Sequence, residues 1–322
     1  MIKIDLGNKK GKIITLHKKD FGDNYIKITD ELSKLSTHKN FYEYFYNGKD
    51  FTLNKIEKLI CADTKKELLE QINIIEPLIN KDSKIEKVSV EEIKKDIKAV
   101  FEHLFKNFST RKWAYDFLQI VECKVCPYCN RSYTFTVRKG KYKSKPELDH
   151  YFSKNIYPYL AISIFNLIPS CSTCNKGKSD AENQYICYPY EESFDQLEKK
   201  ISFTTEFDNL EAIFSDNKKL VVRLDSDDIQ KQLYIDQYNS AFKIDALYEE
   251  HYDYVREIIQ KAIIFDDNFF ESIFSSVPEL FNYSYDEVKQ VIFANYLEPE
   301  NMGKRPLAKM VQDILKEFYE VL

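Results

Sequence analysis

Four cysteines in two Cys-x-x-Cys pairs are the residues of this chain whose spacing most directly indicates chemistry. The pairs are Cys126/Cys129 and Cys171/Cys174. Four thiolates at this spacing are typical of a closed, tetrahedral zinc site that stabilises a fold. Cys123 also stands in a Cys-x-x-Cys spacing with Cys126, so the ligand register has an alternative. Because Cys129 directly precedes a predicted hairpin, we expect Cys126, Cys129, Cys171 and Cys174 to bind a structural Zn²⁺.

Buried thiols or a redox dithiol are the alternative interpretation of these pairs. A redox pair is usually single and lies in a βαβ context, which this pattern lacks. Cys61 and Cys187 are predicted to be core thiols. Seven cysteines, an odd number with four in close pairs, favour reduced thiols over a disulfide framework. With no apolar leader at the N-terminus and no apolar run of membrane-spanning length, we expect a cytoplasmic protein.

An Asp149-His150 dyad lies between the two cysteine pairs, and Asn166 and Asn175 lie close to the second pair. A neutral histidine can take a proton from water, while a neighbouring carboxylate holds a divalent cation against a phosphate. Taken alone, an Asp-His dipeptide is more often structural. Adjacent strand residues point to opposite faces, so a strand must bulge or end here for both side chains to reach one phosphate.

The elements that position these residues follow from the apolar pattern. Residues 56–75 and 93–108 repeat apolar side chains at helical spacing, and the second of these helices is predicted to begin near Ser89. Residues 113–121 continue as a helix toward Cys126. His103 lies in the helix that begins near Ser89 and, like His17, His38 and His251, receives no functional role.

Around the dyad the pattern changes to strands. Residues 132–137 alternate apolar and polar side chains, and we expect them to pair with 147–152 in a β-hairpin whose tip is basic. A long loop and a helix over 171–178 follow. Further on, 201–207 and 220–224 are predicted strands. Helices are predicted over 244–263, 288–296 and 307–322. We therefore expect an N-terminal helical region (1–120), a central core (121–195) and a C-terminal region of short strands and acidic helices (196–322).

Charge is distributed unevenly, although the chain carries a net charge of −5. Residues 111–178 carry 12 basic and 4 acidic side chains, whereas residues 179–322 carry 14 and 30. The basic segment contains the cysteine pairs and the dyad, so its field favours phosphate there despite the acidic total. The acidic segment is either a solvated helical surface or a docking site for a partner that restrains access to nucleic acid.

The motifs together resemble an HNH endonuclease of the zinc-stapled subtype. Within that superfamily they are most similar to the PtuB-type nucleases of bacterial Septu anti-phage systems, which act beside an ATPase partner. The similarity covers about 126–190 and is carried by Cys126-Pro127-Tyr128-Cys129, Leu148-Asp149-His150-Tyr151-Phe152, Asn166-Leu167-Ile168-Pro169-Ser170-Cys171 and Cys174-Asn175-Lys176-Gly177-Lys178. A weaker similarity runs from 242–244 to 305–309, and residues 1–90 resemble no family.

The resemblance implies an α+β fold, in which a ββα-metal (His-Me finger) HNH core with a four-cysteine zinc site is embedded in mainly α-helical regions. It implies that His150 is the general base and that Asn166 orients His150 or braces its loop. Asp149 and Asn175 would hold one Mg²⁺ or Mn²⁺. Asn175 stands where many members have a histidine, but its amide oxygen still suits a hard cation.

The resemblance also implies the substrate and the partner. We expect metal-dependent hydrolysis of phosphodiester bonds in DNA, in double-stranded form, by a defence effector that works with an ATPase of PtuA type. Lys178 is a candidate phosphate contact, with a solvated lysine as the alternative. Further backbone contacts are expected from the hairpin residues Arg138, Lys139, Lys141, Lys143 and Lys145. The competing hypothesis is a non-catalytic, zinc-stabilised nucleic-acid-binding or adaptor protein.

Overall fold

The computed structural model describes residues 1–181, 184–198, 200–214, 220–265, 267–276 and 285–319. Contacts between residues divide the chain into two compact units. The N-terminal unit comprises residues 4–123 and 134–183, and the C-terminal unit comprises 1–3, 124–133 and 184–322. These borders differ from the predicted ones at 120 and 195, because packing joins segments that are distant in the sequence.

Helices make up the first part of the N-terminal unit. Their bounds are α1 Lys10–Asp20, α2 Ile26–Leu32, α3 Lys39–Phe45, α4 Leu53–Cys61, α5 Lys65–Glu86, α6 Val90–Ser109 and α7 Lys112–Val121. The predicted start of α6 is confirmed, since the Ser89 hydroxyl accepts a hydrogen bond from the Glu92 amide at 3.1 Å. Its apolar stripe of Ile93, Ile97, Val100, Leu104 and Phe108 is buried, as the helical spacing indicated.

The strands around the dyad pair differently from the prediction. A short hairpin joins β1 Val137–Lys139 to β2 Tyr142–Ser144. The strand with the dyad, β3 Glu147–His150, pairs antiparallel with β4 Leu167–Ser170 and not with residues 132–137. The expected hairpin of 132–137 with 147–152 is therefore wrong. Residues 137–144 close a small hairpin on their own, which leaves the edge of β3 available for β4.

The segment between β3 and β4 is held against the helices. It contains two 3₁₀ turns, Pro158–Ile162 and Ile164–Asn166, and α6 packs along the first of them. The Ser163 hydroxyl donates to the Leu59 carbonyl at 2.6 Å, which fixes the segment to α4 as well. After β4 the chain enters α8 Ser172–Lys178. The order along the chain is thus β3, the buried loop with the 3₁₀ turns, β4 and α8.

His17 on α1, which received no role from the sequence, is completely buried. Its Nε2 donates to the Ile162 carbonyl at 2.7 Å, and its ring packs edge-on against Phe21 and Phe108. Burial lowers the pKa of His17 from 6.5 to about 4. The neutral His17 side chain therefore links α1 to the 3₁₀ turn through its hydrogen bond with Ile162.

The C-terminal unit combines one small sheet with helices. Its elements are β5 Ser202–Glu206, α9 Leu210–Phe214, β6 Val221–Asp225, α10 Gln232–Phe242, α11 Ile244–Glu249, α12 Tyr252–Ile264, α13 Asp267–Ser276, α14 Tyr285–Ile292 and α15 Ala308–Tyr319. The strands β5 and β6 are antiparallel, in agreement with the predicted strands there. The predicted continuous helix over 244–263 is two helices, with a break at residues 250 and 251. The predicted helix over 288–296 ends at Ile292, and residues 320–322 lie outside the described part of the chain.

Carboxylates of α15 cover the edge of β5 that does not pair with β6. Asp313 accepts from the Phe203 amide at 2.9 Å, and Glu317 accepts from the Thr205 amide at 3.2 Å. Lys309, itself fully buried, lies 2.6 Å from the Asp313 carboxylate. Burial nevertheless raises the pKa of Asp313 from 3.8 to about 6. These side chains satisfy backbone donors that an open strand edge would otherwise present.

Within the described ranges, no helix is both long enough and apolar enough to span a bilayer.

Candidate active site and metal centre

The sulfur atoms of Cys126, Cys129, Cys171 and Cys174 all lie within 4.8 Å of one another. A tetrahedral zinc with Zn–S bonds of about 2.3 Å places its sulfurs about 3.8 Å apart, so the four thiols fit such an ion. Cys123 is not a member of this group. The predicted gathering of the four cysteines is confirmed, and the register that uses Cys126 and Cys129 is the one the fold supports.

The first cysteine pair lies in a tight turn. The Cys126 amide donates to the Ser132 carbonyl at 2.9 Å, and the Asn130 amide donates to the Cys126 carbonyl at 2.8 Å. The Arg131 amide approaches Cys129 Sγ at 3.4 Å. Backbone N–H groups that point at sulfur stabilise a thiolate, which is the form that binds a metal.

Asn130 fixes this turn to the first turn of α15 and to the segment before that helix. It adopts a left-handed backbone conformation with φ of 48°, which asparagine tolerates better than most residues. Its side chain accepts from the Lys309 amide at 2.9 Å and donates to the Met302 carbonyl at 3.0 Å. Asn130 was not identified from the sequence, although its place directly after Cys129 was a usable signal.

The second cysteine pair begins α8. Cys171 occupies the N-cap position, and its sulfur accepts from the Cys174 amide at 3.5 Å. The same helix then carries Asn175 and Lys178 three residues apart, which places both on one face. That face lies against β3, because Asn175 contacts Glu147 and Lys178 contacts Asp149.

Asp149 is buried and lies next to a positive charge. The Lys178 ammonium is 3.2 Å from Asp149 Oδ2 and donates to the His150 carbonyl at 2.7 Å. The side chains of Lys178 and Asp149 are 0% and 4% exposed. Lys178 was predicted as a phosphate contact, but its ammonium is inside the protein and must leave Asp149 before it can touch a ligand.

His150 is the last residue of β3, so the strand ends at the dyad. Its Nε2 donates to the Ala161 carbonyl at 3.1 Å, and its ring lies 4.6 Å from that of Phe105 on α6. This bond leaves Nδ1 as the proton acceptor. Burial, assisted by the positive charge of Lys154, lowers the pKa of His150 from 6.5 to about 3. The imidazole is neutral at physiological pH.

Asn166 braces the loop that carries the acceptor of His150. Its side chain is fully buried, accepts from the Phe152 amide at 2.8 Å and donates to the Phe152 and Leu160 carbonyls at 3.0 and 3.1 Å. Leu160 directly precedes Ala161. Of the two predicted roles, the contacts of Asn166 agree with the brace, since they end on the backbone of Phe152 and Leu160 and not on His150.

Asn175 contacts a carboxylate that the sequence analysis did not select. Its Nδ2 donates to Glu147 Oε2 at 2.5 Å, which leaves Oδ1 as the end available to a cation. Glu147 stands two residues before Asp149 and therefore shares its face of β3. This spacing was visible in the sequence. The contact of His150 with Ala161 was not, because it involves a backbone atom of a distant loop.

The basic hairpin residues are exposed to different degrees. Lys139, Lys141 and Lys143 are exposed, whereas Lys145 is half-buried, and burial lowers its pKa. Arg138 donates to Asp116 on α7 at 3.2 Å. The solvated members are thus the three lysines nearest to the turn.

Comparison with known proteins identifies no relative, since no family model, no curated protein and no solved structure matches this chain.

Proposed function

We propose that the protein is a metal-dependent HNH endonuclease that hydrolyses phosphodiester bonds in DNA. In this proposal β3, β4 and α8 form a ββα-metal core, and the four cysteines hold a structural Zn²⁺. The environment of His150 is the observation that supports it most strongly. A buried, neutral imidazole whose Nε2–H is held by the Ala161 carbonyl presents Nδ1 as a base.

The general base of the proposed reaction is His150. Its Nδ1 takes a proton from the water that attacks phosphorus, while Ala161 keeps the ring in one tautomer and orientation. The low pKa of the free site keeps the imidazole unprotonated before substrate binds. A bound phosphate brings negative charge and raises that pKa, which increases the basicity of His150 when it is needed.

Asp149 and Asn175 would hold the catalytic Mg²⁺ or Mn²⁺. The residues fit a hard cation, because Asp149 already pairs with the ammonium of Lys178 and Asn175 directs its amide oxygen away from Glu147. When bound, the cation supplies stabilisation of the negative charge that develops on the phosphate and on the leaving oxygen. With a cation at Asp149, Lys178 would be released to contact the phosphate.

The resemblance further suggests a defence effector that works with an ATPase partner. Lys139, Lys141 and Lys143 extend from the hairpin as solvated charges that neutralise a nucleic-acid backbone. Co-purification with the product of a neighbouring ATPase gene tests the partner. If neither ATPase-dependent cleavage nor a complex is found, this part of the proposal is wrong.

Plasmid cleavage with Mg²⁺ or Mn²⁺ tests the nuclease. We expect wild type to cut and His150→Ala to lose cutting by about 10²-fold or more, the usual contribution of a general base. Zinc content and circular dichroism of the variant must match those of wild type. Equal cleavage by both proteins, each with and without the ATPase, would falsify the assignment of His150.

The buried Asp149–Lys178 pair favours a second candidate, a non-catalytic zinc-stabilised binding module. In that case Lys178 neutralises Asp149 permanently and no cation binds there. A protein that binds DNA but cuts it with neither metal, with or without the partner, would support this candidate. Binding of Mn²⁺ that is lost in Asp149→Asn would exclude it.

A further inference from the structure

We infer that the solvent-facing side of the β1–β2 hairpin is a stacking surface for the unpaired bases of a nucleic-acid strand, with the Tyr142 ring as its main contact. The inference deepens the proposed function, on which it rests, by naming the form of the substrate. It is carried by the strand register, the exposure of the side chains and the charge around them.

The register assigns the hairpin side chains to two faces. Arg138 is paired with Lys143, whereas Lys139 is paired with Tyr142. Directly opposed residues of antiparallel strands share a face, so Tyr142 and Lys139 lie on one side and Arg138 on the other. The two-residue turn at 140 and 141, with Gly140 at φ of 57°, matches the sharp turns that connect such strands.

One of these faces is directed at the protein. Arg138 donates to Asp116 at 3.2 Å, and its guanidinium lies 5.9 Å from the centre of the Tyr115 ring. Both partners belong to α7. The opposite face, which carries Tyr142, is therefore turned to solvent.

The solvent face exposes apolar and aromatic surface. Tyr142 is 68% exposed, and Val137, which lies on the same face, is 37% exposed. Phe135, two residues before β1, is 50% exposed. Aromatic side chains that are exposed in a hairpin and directly before it indicate a contact surface and not a stabilising core.

The charge of this surface selects the ligand. Lys139 shares the face of Tyr142, Lys141 lies in the turn beside it, and residues 138–146 contain no acidic residue. Lys141 Nζ lies 5.6 Å from the centre of the Tyr142 ring. Lysines around an exposed ring are the combination with which proteins bind single strands, since the charges follow the phosphates and the ring stacks on a base.

Unpaired bases fit this surface better than a regular duplex. In a duplex the bases are stacked on one another, and only the phosphates and groove edges are accessible. The bases of a duplex therefore cannot stack on the Tyr142 ring, whereas those of a single strand or an opened duplex end can. The lysines would contribute to both substrates.

Fluorescence anisotropy with labelled oligo-dT and a duplex of equal length tests the inference in the full-length protein. The measurement is made without added Mg²⁺ or Mn²⁺. We expect Tyr142→Ala to weaken oligo-dT binding about 5-fold or more, which corresponds to about 1 kcal/mol per stacked base, and to leave duplex binding unchanged. Tyr142→Phe retains the ring and should bind oligo-dT as wild type does.

Two further variants separate stacking from charge. Lys141→Ala should weaken both substrates and reduce the salt dependence of both. Ile85→Ala removes an apolar side chain of similar exposure on α5, at 59%, and should change neither affinity. A halogenated oligo-dT that crosslinks on illumination should react at residue 142, as located by mass spectrometry.

The outcomes distinguish this inference from the proposed function. Unchanged oligo-dT binding by Tyr142→Ala, or equal losses for both substrates, overturns the stacking surface even if His150-dependent cleavage is observed. Absence of nucleic-acid binding by wild type overturns it too and directs attention to a protein ligand. Loss of oligo-dT binding in Tyr142→Ala with no cleavage by wild type supports the surface and contradicts only the nuclease.

Discussion

Lys178 and Asp149 form an ion pair, with 3.2 Å between Nζ and Oδ2, from which solvent is almost fully excluded. The same ammonium donates to the carbonyl of His150 at 2.7 Å. One lysine at the end of α8 therefore fixes both members of the dyad, the carboxylate by charge and the histidine through its backbone.

Replacement of Lys178 should show how much the buried ion pair contributes to stability. We expect Lys178→Met to lower the free energy of unfolding by about 3–5 kcal/mol, because it removes the Lys178 charge that lies 3.2 Å from the buried Asp149 carboxylate. The double variant Lys178→Met/Asp149→Asn should recover much of that loss. Urea denaturation measures both values.

A matched control for Lys178 lies on the surface. Lys34 pairs with Glu31 at 2.6 Å, but its side chain is 61% exposed. Lys34→Met should cost about 0–1 kcal/mol. Similar losses for the Lys34 and Lys178 variants would contradict the buried pair.

Glu147 should control the binding of a divalent cation through Asn175. In Glu147→Ala the amide of Asn175 loses the acceptor that orients it, and the site loses one negative charge. We expect the affinity for Mn²⁺ to fall about 10-fold or more, as for residues that orient metal ligands. Calorimetric titration measures this binding independently of cleavage, and Glu43→Ala on α3 serves as an exposed control. Unaltered Mn²⁺ affinity would remove Glu147 from the site.

Asn166 should be more important for the loop than for the fold as a whole. Asn166→Ala removes an acceptor and two donors and leaves the Phe152 amide buried without its partner. A loss of about 1–3 kcal/mol is expected for such a group. Hydrogen exchange should accelerate at the amide of Phe152 and remain unchanged in α7. Uniform acceleration along the chain would indicate general destabilisation instead.

His17 should make stability depend on pH. Its folded pKa of about 4 lies below the ordinary value of 6.5, so the unfolded chain binds the proton first as the pH falls. The contribution is complete above about pH 6.5 and is lost progressively toward pH 4, by about 2 kcal/mol at pH 5. His17→Gln retains a donor for the Ile162 carbonyl but does not titrate. Its stability should fall less than that of wild type between neutral pH and pH 5, and parallel curves would contradict the prediction.

Zinc content should follow the four clustered cysteines. Cys126→Ser and Cys171→Ser should each reduce bound zinc strongly, because three ligands do not close a structural site. Cys123→Ser removes a nearby thiol outside the group and should retain zinc. Elemental analysis of the purified proteins measures the difference. Full zinc content in Cys171→Ser would show that the site uses other ligands.

The spacing of residues along the chain determined the cysteine cluster and the position of several helices and strands. The two Cys-x-x-Cys pairs, the helical stripe of α6 and the positions of β5 and β6 depend on local patterns, and the structure agrees with each. Local patterns suffice there because the residues involved are neighbours on one turn, one helix face or one strand.

Strand pairing and burial depended on tertiary structure. The partner of β3 is β4, and their nearest paired residues, His150 and Leu167, are 17 positions apart in the sequence. Alternation of apolar and polar residues does not specify which strand is the partner. The burial of Lys178 and His17 and the contact of Asn175 with Glu147 likewise arise where distant segments meet. Lysine is ordinarily predicted to be exposed, because burial of an unpaired charge is costly. Only the folded chain brings Asp149 next to Lys178.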